Sequence, residues 1–248
     1  NKAFLKQLEA KHAARGSIRV LHAKLMGRLA INLADGIIEN AGICLDRLSG
    51  QPRIPGSAVK GAARHAAWTE WKESGESDAT RRLLERVFGP DAGVAGKGAV
   101  CFLPAIAENE ARLVVDVATV HHRKYYSGKM DAAKDDENPV PNFFPAVEEG
   151  AEFAFPIVLN GLDDDPVLLD AAARWLRIAL EENGIGAKTA AGYGWFSNND
   201  ETKEKEAADA AKAEAERSVR RDAEPDPAIM EAIEAKKNGQ NQKFLELC

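Results

Sequence analysis

Cysteine and histidine are scarce in this chain of 248 residues, which has 3 cysteines and 5 histidines. Cys44, Cys101 and Cys248 lie far apart and form no Cys-x-x-Cys pair, so the sequence indicates neither a disulfide framework nor a zinc site. This usage is typical of a reducing cytosol. The sequence also lacks a nucleophile elbow and a His-Glu-x-x-His helix. We therefore expect no metal and no other cofactor.

Long apolar runs are also missing, since none approaches the roughly 18 residues that a membrane span requires. The N-terminal segment has the pattern of a charged amphipathic helix rather than that of a signal peptide. We therefore expect a cytoplasmic protein with no membrane partner. Apolar residues make up 45% of the chain, which is enough to build a core for one large domain or two small ones.

The overall charge is acidic, with a net charge of −6. Such an average argues against a nucleic-acid protein, because phosphate contacts require lysine and arginine. The distribution is uneven, however. Residues 1–72 carry 12 basic and 5 acidic side chains, a net of +7, whereas the remaining residues carry a net of −13. A basic N-terminal third can form a binding face, and ordinary variation along a chain is the alternative.

Hydrophobic spacing predicts helices and strands in an alternating order. The predicted helices cover 2–14, 57–73, 78–88 and the segment from Asp165 to Gly184, and the predicted strands cover 28–34, 99–106, 112–120, 152–159 and 193–197. The order from strand 28–34 onward is strand, helix, strand, strand, helix, strand, with insertions. It is the α+β ferredoxin-like pattern that RNA-recognition domains also use. Pro156 favours an edge or a bulge for its strand.

Two regions depart from this pattern. Residues 127–142 have no usable periodicity and are interpreted as a loop. Residues 201–248 are rich in alanine, glutamate and lysine, and we interpret them as a charged helical extension to a main domain over 1–200.

The first segment that can carry chemistry is the helix-start segment, residues 51–68. A Pro-Gly turn containing Gly56 leads into a helix for which Ser57 is the predicted N-cap. The free N–H groups of a helix start attract phosphate. Lys60 and Arg64 are four residues apart and share one face of that helix. The alternative is a plain capped helix with two solvated cations.

The second segment is the glycine-rich loop, residues 183–196. It is neither a P-loop nor a dinucleotide fingerprint, because Ala187 and Thr189 stand where those motifs require glycine. A loop so rich in glycine offers N–H groups to a phosphate backbone, and the alternative is a tight turn into the last strand. The residues assigned to RNA binding here are Gly184, Gly186, Lys188, Thr189, Gly192, Tyr193 and Gly194.

The third segment is the His-Tyr segment, residues 119–128, which combines cations with aromatic rings as single-stranded nucleic-acid sites do. Its candidate residues are His121, His122, Tyr125 and Tyr126, beside Arg123 and Lys124. A histidine acting as general base with a tyrosine partner is one alternative, and a polar strand end at the surface is another. Neighbouring strand residues point to opposite faces, which argues against a dyad of the two histidines. Asp116, within the preceding strand, is explained by a solvent-facing side.

The three segments together resemble the RAMP superfamily of CRISPR proteins. The run GICLDRLSGQPRIPGSAVKGAAR contains the IPGSxxKGxxR element of that superfamily, and GIGAKTAAGYG looks like its C-terminal glycine-rich loop. The stretch HHRKYYSG, followed by NPVPNFFPAVEEGAEFAF, is similar to one subfamily, the sixth Cmr subunit of type III-B CRISPR effector complexes. The resemblance covers about residues 25–197.

The resemblance implies a ferredoxin-like core and a subunit for RNA-guided antiviral defence. Such a subunit binds the guide RNA (crRNA) near its 3′ end, meets the target RNA indirectly, and contacts other Cmr-type backbone and small subunits. It implies no nuclease activity in this chain. Arg53 departs from the family element, which often has an aromatic residue there. A metal-independent endoribonuclease that cuts repeat RNA and a purely architectural subunit remain the alternatives.

Overall fold

A computed structural model describes residues 2–35, 42–91, 94–133, 138–161 and 165–198. The predicted extension over 201–248 lies outside these residues. Within them, no helix has both the length and the apolar character that crossing a membrane would need.

Five α-helices and eight β-strands are assigned in the described part of the chain. In chain order they are α1 (Lys2–Ala13), β1 (Ile18–Leu25), β2 (Arg53–Ile54), α2 (Gly56–Glu73), α3 (Asp78–Phe88), β3 (Val100–Phe102), β4 (Ala105–Ala107), β5 (Leu113–Val120), α4 (Arg123–Tyr126), β6 (Val140–Val147), β7 (Glu152–Leu159), α5 (Pro166–Ile178) and β8 (Phe196–Asn198). The predicted α+β class is confirmed. Helices α1, α3 and α5 lie close to where their spacing placed them.

The main sheet is antiparallel, with the strand order β2-β4-β7-β1-β8, and β3 also pairs with β7. Helices α2, α3 and α5 supply the hydrophobic core on one face of this sheet, where Trp175, Phe153 and Phe155 are fully buried. A buried side chain of this size contributes about 1.5–3 kcal/mol to folding. Strands β5 and β6 form a separate two-stranded ribbon.

Helix α5 shows how local sequence produces its element. The Asp165 carboxylate accepts a hydrogen bond from Val167 N at 3.0 Å, and Pro166 occupies the first turn, where no N–H is required. The helix continues as a π-turn over Ala179–Asn183 and ends at Gly184, whose φ is 72°. The predicted core face is confirmed, since these residues have no exposed surface: Leu168, Ala172, Trp175, Leu176 and Ala179.

The opposite face of the sheet is packed against α1. Leu5 of that helix contacts Ile106 and Ala154, with Val20 beside them. In RNA-recognition domains this kind of face displays aromatic residues on which bases stack. Here the part beneath α1 holds small and aliphatic side chains, and His22 and Lys24 follow Val20 on the same face of β1.

The predicted strand over 28–34 is wrong. That segment makes isolated bridges, from Leu29 to Val147 and from Ala30 to Ala187, and ends in a 3₁₀ turn over Leu33–Asp35. The strand that enters the sheet is β1. The sequence of β1 shows no clear alternation of apolar and polar residues, because charged and polar residues occupy the face that α1 partly covers.

Ser57 is not the N-cap of α2. The helix begins one residue earlier, at Gly56, with Pro55 in the capping position, and no side chain caps it. A Cβ on Gly56 would lie 2.4 Å from the carbonyl oxygen of Phe102. Glycine is therefore required here because the helix start packs directly against a neighbouring backbone.

Proline positions account for two further differences. Pro156 lies inside the central strand β7 rather than at an edge or a bulge, and its carbonyl accepts from Leu103 N, in the gap between β3 and β4. The nitrogen of Pro156, which carries no hydrogen, faces that gap, so no hydrogen bond between strands is lost. Strand β6 begins inside the predicted loop 127–142. Its Pro141 and Pro145 lie opposite Thr119 and Val115 of β5.

Candidate nucleic-acid interface

A groove of about 550 Å³ separates the first turns of α2 from the glycine-rich loop. Helix α2 contributes one side, a short segment at Ile31 contributes the floor, and the loop contributes the other side. Two segments more than 100 residues apart, both predicted to bind RNA, therefore meet at one place. The lining residues are Ile31, Asn32, Ala58, Gly61, Ala62, His65, Asn183, Gly184, Ile185, Gly186, Ala187 and Thr189.

The helix side of the groove is built from small residues. Gly61 is exposed and has no atom within 4 Å of the position that a Cβ would occupy, so the groove is open above it. Lys60 and Arg64 share a face, as predicted, but the 3.6-residue turn places that face on the other flank of α2. Arg64 Nη2 lies 2.9 Å from an oxygen of Asp91, so its charge is already paired.

The loop side of the groove owes its shape to two glycines that contact other parts of the backbone. A Cβ on Gly186 would lie 2.5 Å from the carbonyl oxygen of Ala30, and one on Gly194 would lie 1.9 Å from that of Ile185. Ile185 N also donates to Gly194 O at 2.8 Å. The glycines predicted that something approaches this loop closely. The approaching group is the protein's own backbone, and these contacts hold the loop beside the groove.

Backbone donors of this loop lie at the groove. The N–H groups of Gly186 and Thr189 donate to no acceptor among the residues that the structure describes, and both residues line the groove. Lys188, between them, is left-handed with φ 62°. Its ammonium lies 4.9 Å from the ring centre of Phe144 on β6. Free N–H groups beside a nearby cation suit a phosphate backbone.

The His-Tyr segment lies at the end of the ribbon and lines no part of the groove. Strand β5 ends at Val120, so the expected alternation of His121 and His122 does not apply. His122 instead precedes the single turn of α4. Tyr125 and Tyr126 are exposed, and their ring centres are 5.6 Å apart. In the described residues, no three histidine, cysteine or carboxylate side chains are grouped to hold a metal.

Asp116 does not face solvent, contrary to the sequence interpretation. Its side chain is 13% exposed and lies 2.7 Å from Arg28 Nη1, while the Tyr193 hydroxyl donates to the same oxygen at 2.5 Å. These two donors lower the pKa of Asp116 to about 2. The carboxylate in turn raises the pKa of Tyr193. The Tyr193 hydroxyl is therefore held within the protein, and the assignment of Tyr193 to RNA binding stays a prediction.

Sequence reasoning missed the polar groove residues Asn32, His65 and Asn183. His65 could have been found, because it lies four residues after Gly61 on the same helix face. Asn183 precedes the first glycine of the loop. Asn32 gave no local signal, since its place follows only from the pairing of Ala30 with Ala187.

Comparison with known proteins places this geometry in a family. The RAMP superfamily profile matches residues 24–197. The chain is 28% identical over 245 residues to the CRISPR system Cmr subunit Cmr6 of Pyrococcus furiosus, covering 77% of this chain and 69% of that protein.

Two solved structures are similar to this chain to different degrees. A chain of the type III-B Cmr-β complex bound to cognate target RNA superposes with a TM-score of 0.59 at 20% identity. The match covers 80% of this chain and 65% of that one. The crystal structure of Cmr6 from Pyrococcus furiosus gives a TM-score of 0.47 at 22% identity, over 73% of this chain and 97% of that one. Because the family profile matches residues 24–197, the chain belongs to the RAMP superfamily, and the sequence match makes it a distant homologue of Cmr6.

Proposed function

We propose that this chain is a Cmr6-like, non-catalytic subunit of a type III-B Cmr complex that holds the guide RNA near its 3′ end. Backbone and small Cmr subunits are its protein partners, and the target RNA meets it indirectly. The observation that carries the proposal is the groove, because it joins the two RAMP sequence motifs. The sugar-phosphate backbone of the guide would lie between α2 and the glycine-rich loop.

The chemistry of the groove matches the needs of a guide-holding subunit. A guide must be held whatever its sequence, because pairing with the target supplies the sequence recognition. Backbone N–H groups meet this need, since they bind phosphate without reading bases. The backbone donors of Gly186 and Thr189 are of this kind, and the side chain of Asn183 also lines the groove.

We also infer that the core is ferredoxin-like. Counting β3 and β4 as one broken strand, the sheet runs β8-β1-β7-β3/β4. With α2 and α3 in the first connection and α5 in the second, this is a βαββαβ unit of the kind described for split βαβ folds. The ribbon is then an insertion between the second and third core strands.

Purification of the tagged chain from cells that carry the whole locus tests the function. We expect short RNAs with a repeat-derived 5′ tag, together with other RAMP subunits. A chain recovered without RNA and without partners would contradict the proposal. Metal-free cleavage of repeat RNA by the purified chain would instead support the endoribonuclease alternative.

Substitution of Gly61 tests the groove itself. Gly61→Glu places a carboxylate where phosphate is proposed to lie, and the open space above Gly61 accommodates the side chain. We expect complexes with this variant to lose most of their guide RNA. Gly61→Ala is the matched control, because it fits the same space without charge and increases helix propensity. Equal RNA content in the two variants would contradict a groove site.

A further inference from the structure

The ribbon and the glycine-rich loop are joined by one carboxylate. Asp116 projects from the middle of β5, Tyr193 comes from the loop, and Arg28 comes from the segment that follows β1. Both donors converge on the same oxygen of Asp116, at 2.7 Å for the guanidinium and 2.5 Å for the hydroxyl. The other oxygen accepts from Val117 N at 2.8 Å. Three separate parts of the chain are therefore held at one side chain.

Apolar contacts surround this carboxylate. Phe144 and Ala146 of β6 are buried against Ala30, with Tyr193 and Ala187 packed beside them. The rings of Phe144 and Tyr193 lie 5.9 Å apart. Apolar contacts of this kind hold surfaces together but are not directional, whereas hydrogen bonds to a carboxylate depend on distance and angle. Backbone hydrogen bonds also tie the ribbon and the loop to the segment after β1, through Leu29 with Val147 and Ala30 with Ala187. Asp116 adds the side-chain link that joins the ribbon to the loop directly.

The distribution of polar and apolar side chains between the two faces of the ribbon supports a role for Asp116. Its outer face is apolar, with Val115 75% and Phe143 62% exposed, while the carboxylate lies on the inner, packed face. A strand that only shielded a core would have the reverse arrangement. Burying a charge is costly unless it is paired and hydrogen-bonded, and Asp116 satisfies both conditions.

We propose that Asp116 is a positioning residue that holds the His-Tyr segment at the ribbon's end and the groove in one arrangement, so that both engage the same RNA strand. The inference rests on the proposed function. Arg28, Asp116 and Tyr193 do not line the groove, so their effect on RNA is indirect. A preorganised pair of contact regions binds more tightly because less conformational freedom is lost on binding.

Three single variants and one double variant test this role. Asp116→Asn keeps the shape and removes the charge, and Tyr193→Phe removes only the hydroxyl. Asp170→Asn is the control, since it breaks a more exposed pair with Arg19, at 2.9 Å, that does not join the ribbon to the loop. Because both changes at the network remove one shared interaction, the double variant should be little worse than Asp116→Asn alone.

Hydrogen exchange of the full chain without RNA provides the first measurement. We expect Asp116→Asn and Tyr193→Phe to increase the exchange rate about tenfold in the glycine-rich loop and in the ribbon, as expected when a hydrogen bond to a charged group is lost. Exchange in α2 and α5 should stay unchanged, and Asp170→Asn should match the wild type. Uniformly faster exchange over the whole chain would indicate a general stability role and overturn the proposal.

Salt-induced release of guide RNA from the assembled complex provides the second measurement. Asp116→Asn should release RNA at a lower salt concentration than Asp170→Asn, and equal release would overturn the proposal. Failure of the proposed function has a different signature: Gly61→Glu complexes would keep their RNA. If amide hydrogens in Asp116→Asn exchanged at the wild-type rate, the positioning role would be rejected, even if Gly61→Glu complexes lost their RNA.

Discussion

The carboxylate of Asp116 illustrates what the environment does to a single residue. A hydrogen bond from Tyr193, followed by one from Arg28, favours the charged form and lowers its pKa to about 2. A group whose pKa is lowered on folding contributes stability above its unfolded pKa, and this contribution is lost as the pH falls through the folded value. The network is therefore intact at neutral pH and in mild acid, and it fails only as the pH falls from about 4 to about 2.

Removal of the Tyr193 hydroxyl should raise the pKa of Asp116. Tyr193 is the largest cause of the lowered value, so in Tyr193→Phe the pKa should move from about 2 towards the ordinary value of 3.8. Carbon-detected NMR titration of the carboxyl group measures it. Asp46 is an internal control, because its lowered pKa depends chiefly on bonds from Ser49. An unchanged titration of Asp116 would show that the hydroxyl does not bond to it in solution.

At the scale of the element, glycines in the same loop have different structural roles. Gly192 and Gly194 both have positive φ, 89° and 70°. Gly192 has open space around it, whereas Gly194 faces the carbonyl of Ile185. The loop therefore needs glycine at one position for its conformation alone and at the other for a close backbone contact as well.

Alanine substitution at these two positions should separate the two needs. Both variants incur the left-handed strain of about 1–2 kcal/mol. Gly194→Ala adds a clash that must move the backbone, which should cost about 1–3 kcal/mol more. Urea denaturation measures the difference, with Gly192→Ala as the control for strain. Equal midpoints would mean that the loop relaxes without cost.

At the scale of the whole molecule, basic side chains are kept away from the groove. The chain has a net charge of −6, and the described residues that line the groove include no lysine or arginine. Arg64 is paired with Asp91, while Lys60 and Lys188 lie beside the groove rather than in it. Under the proposed function, RNA would be held chiefly by backbone donors and by neighbouring subunits, with few cations from this chain.

Replacement of Lys60 and Lys188 by alanine should weaken guide-RNA retention. If each ammonium neutralises one phosphate, each change lowers the salt dependence by about one counterion. Release of RNA from the assembled complex over a salt series measures the slope. Because Lys60 lies on the far flank of α2, a slope that changes only in Lys188→Ala would restrict the RNA path to the loop side. Unchanged RNA content in the double variant would contradict both contacts.

Sequence alone determined the parts of this protein that depend on neighbouring residues. The Asp-Pro start and the apolar spacing of α5 specify that helix, and the order of the two glycine-containing motifs identifies the superfamily. Local rules suffice for these features, because capping, helical periodicity and turn chemistry act within a few residues. The two segments that form the groove walls were singled out for the same reason, although the residues predicted on the helix side, Gly56, Ser57, Lys60 and Arg64, do not line the groove.

Tertiary structure decided what depends on pairing between distant segments. It selected β1 rather than 28–34 as the sheet strand, placed Pro156 opposite a gap, and turned Asp116 towards Arg28 and Tyr193. A one-residue change in register would move every side chain of a strand to the other face. Register and packing are set by contacts far along the chain, so the inner and outer faces of the ribbon could not be predicted from the alternation of β5 alone.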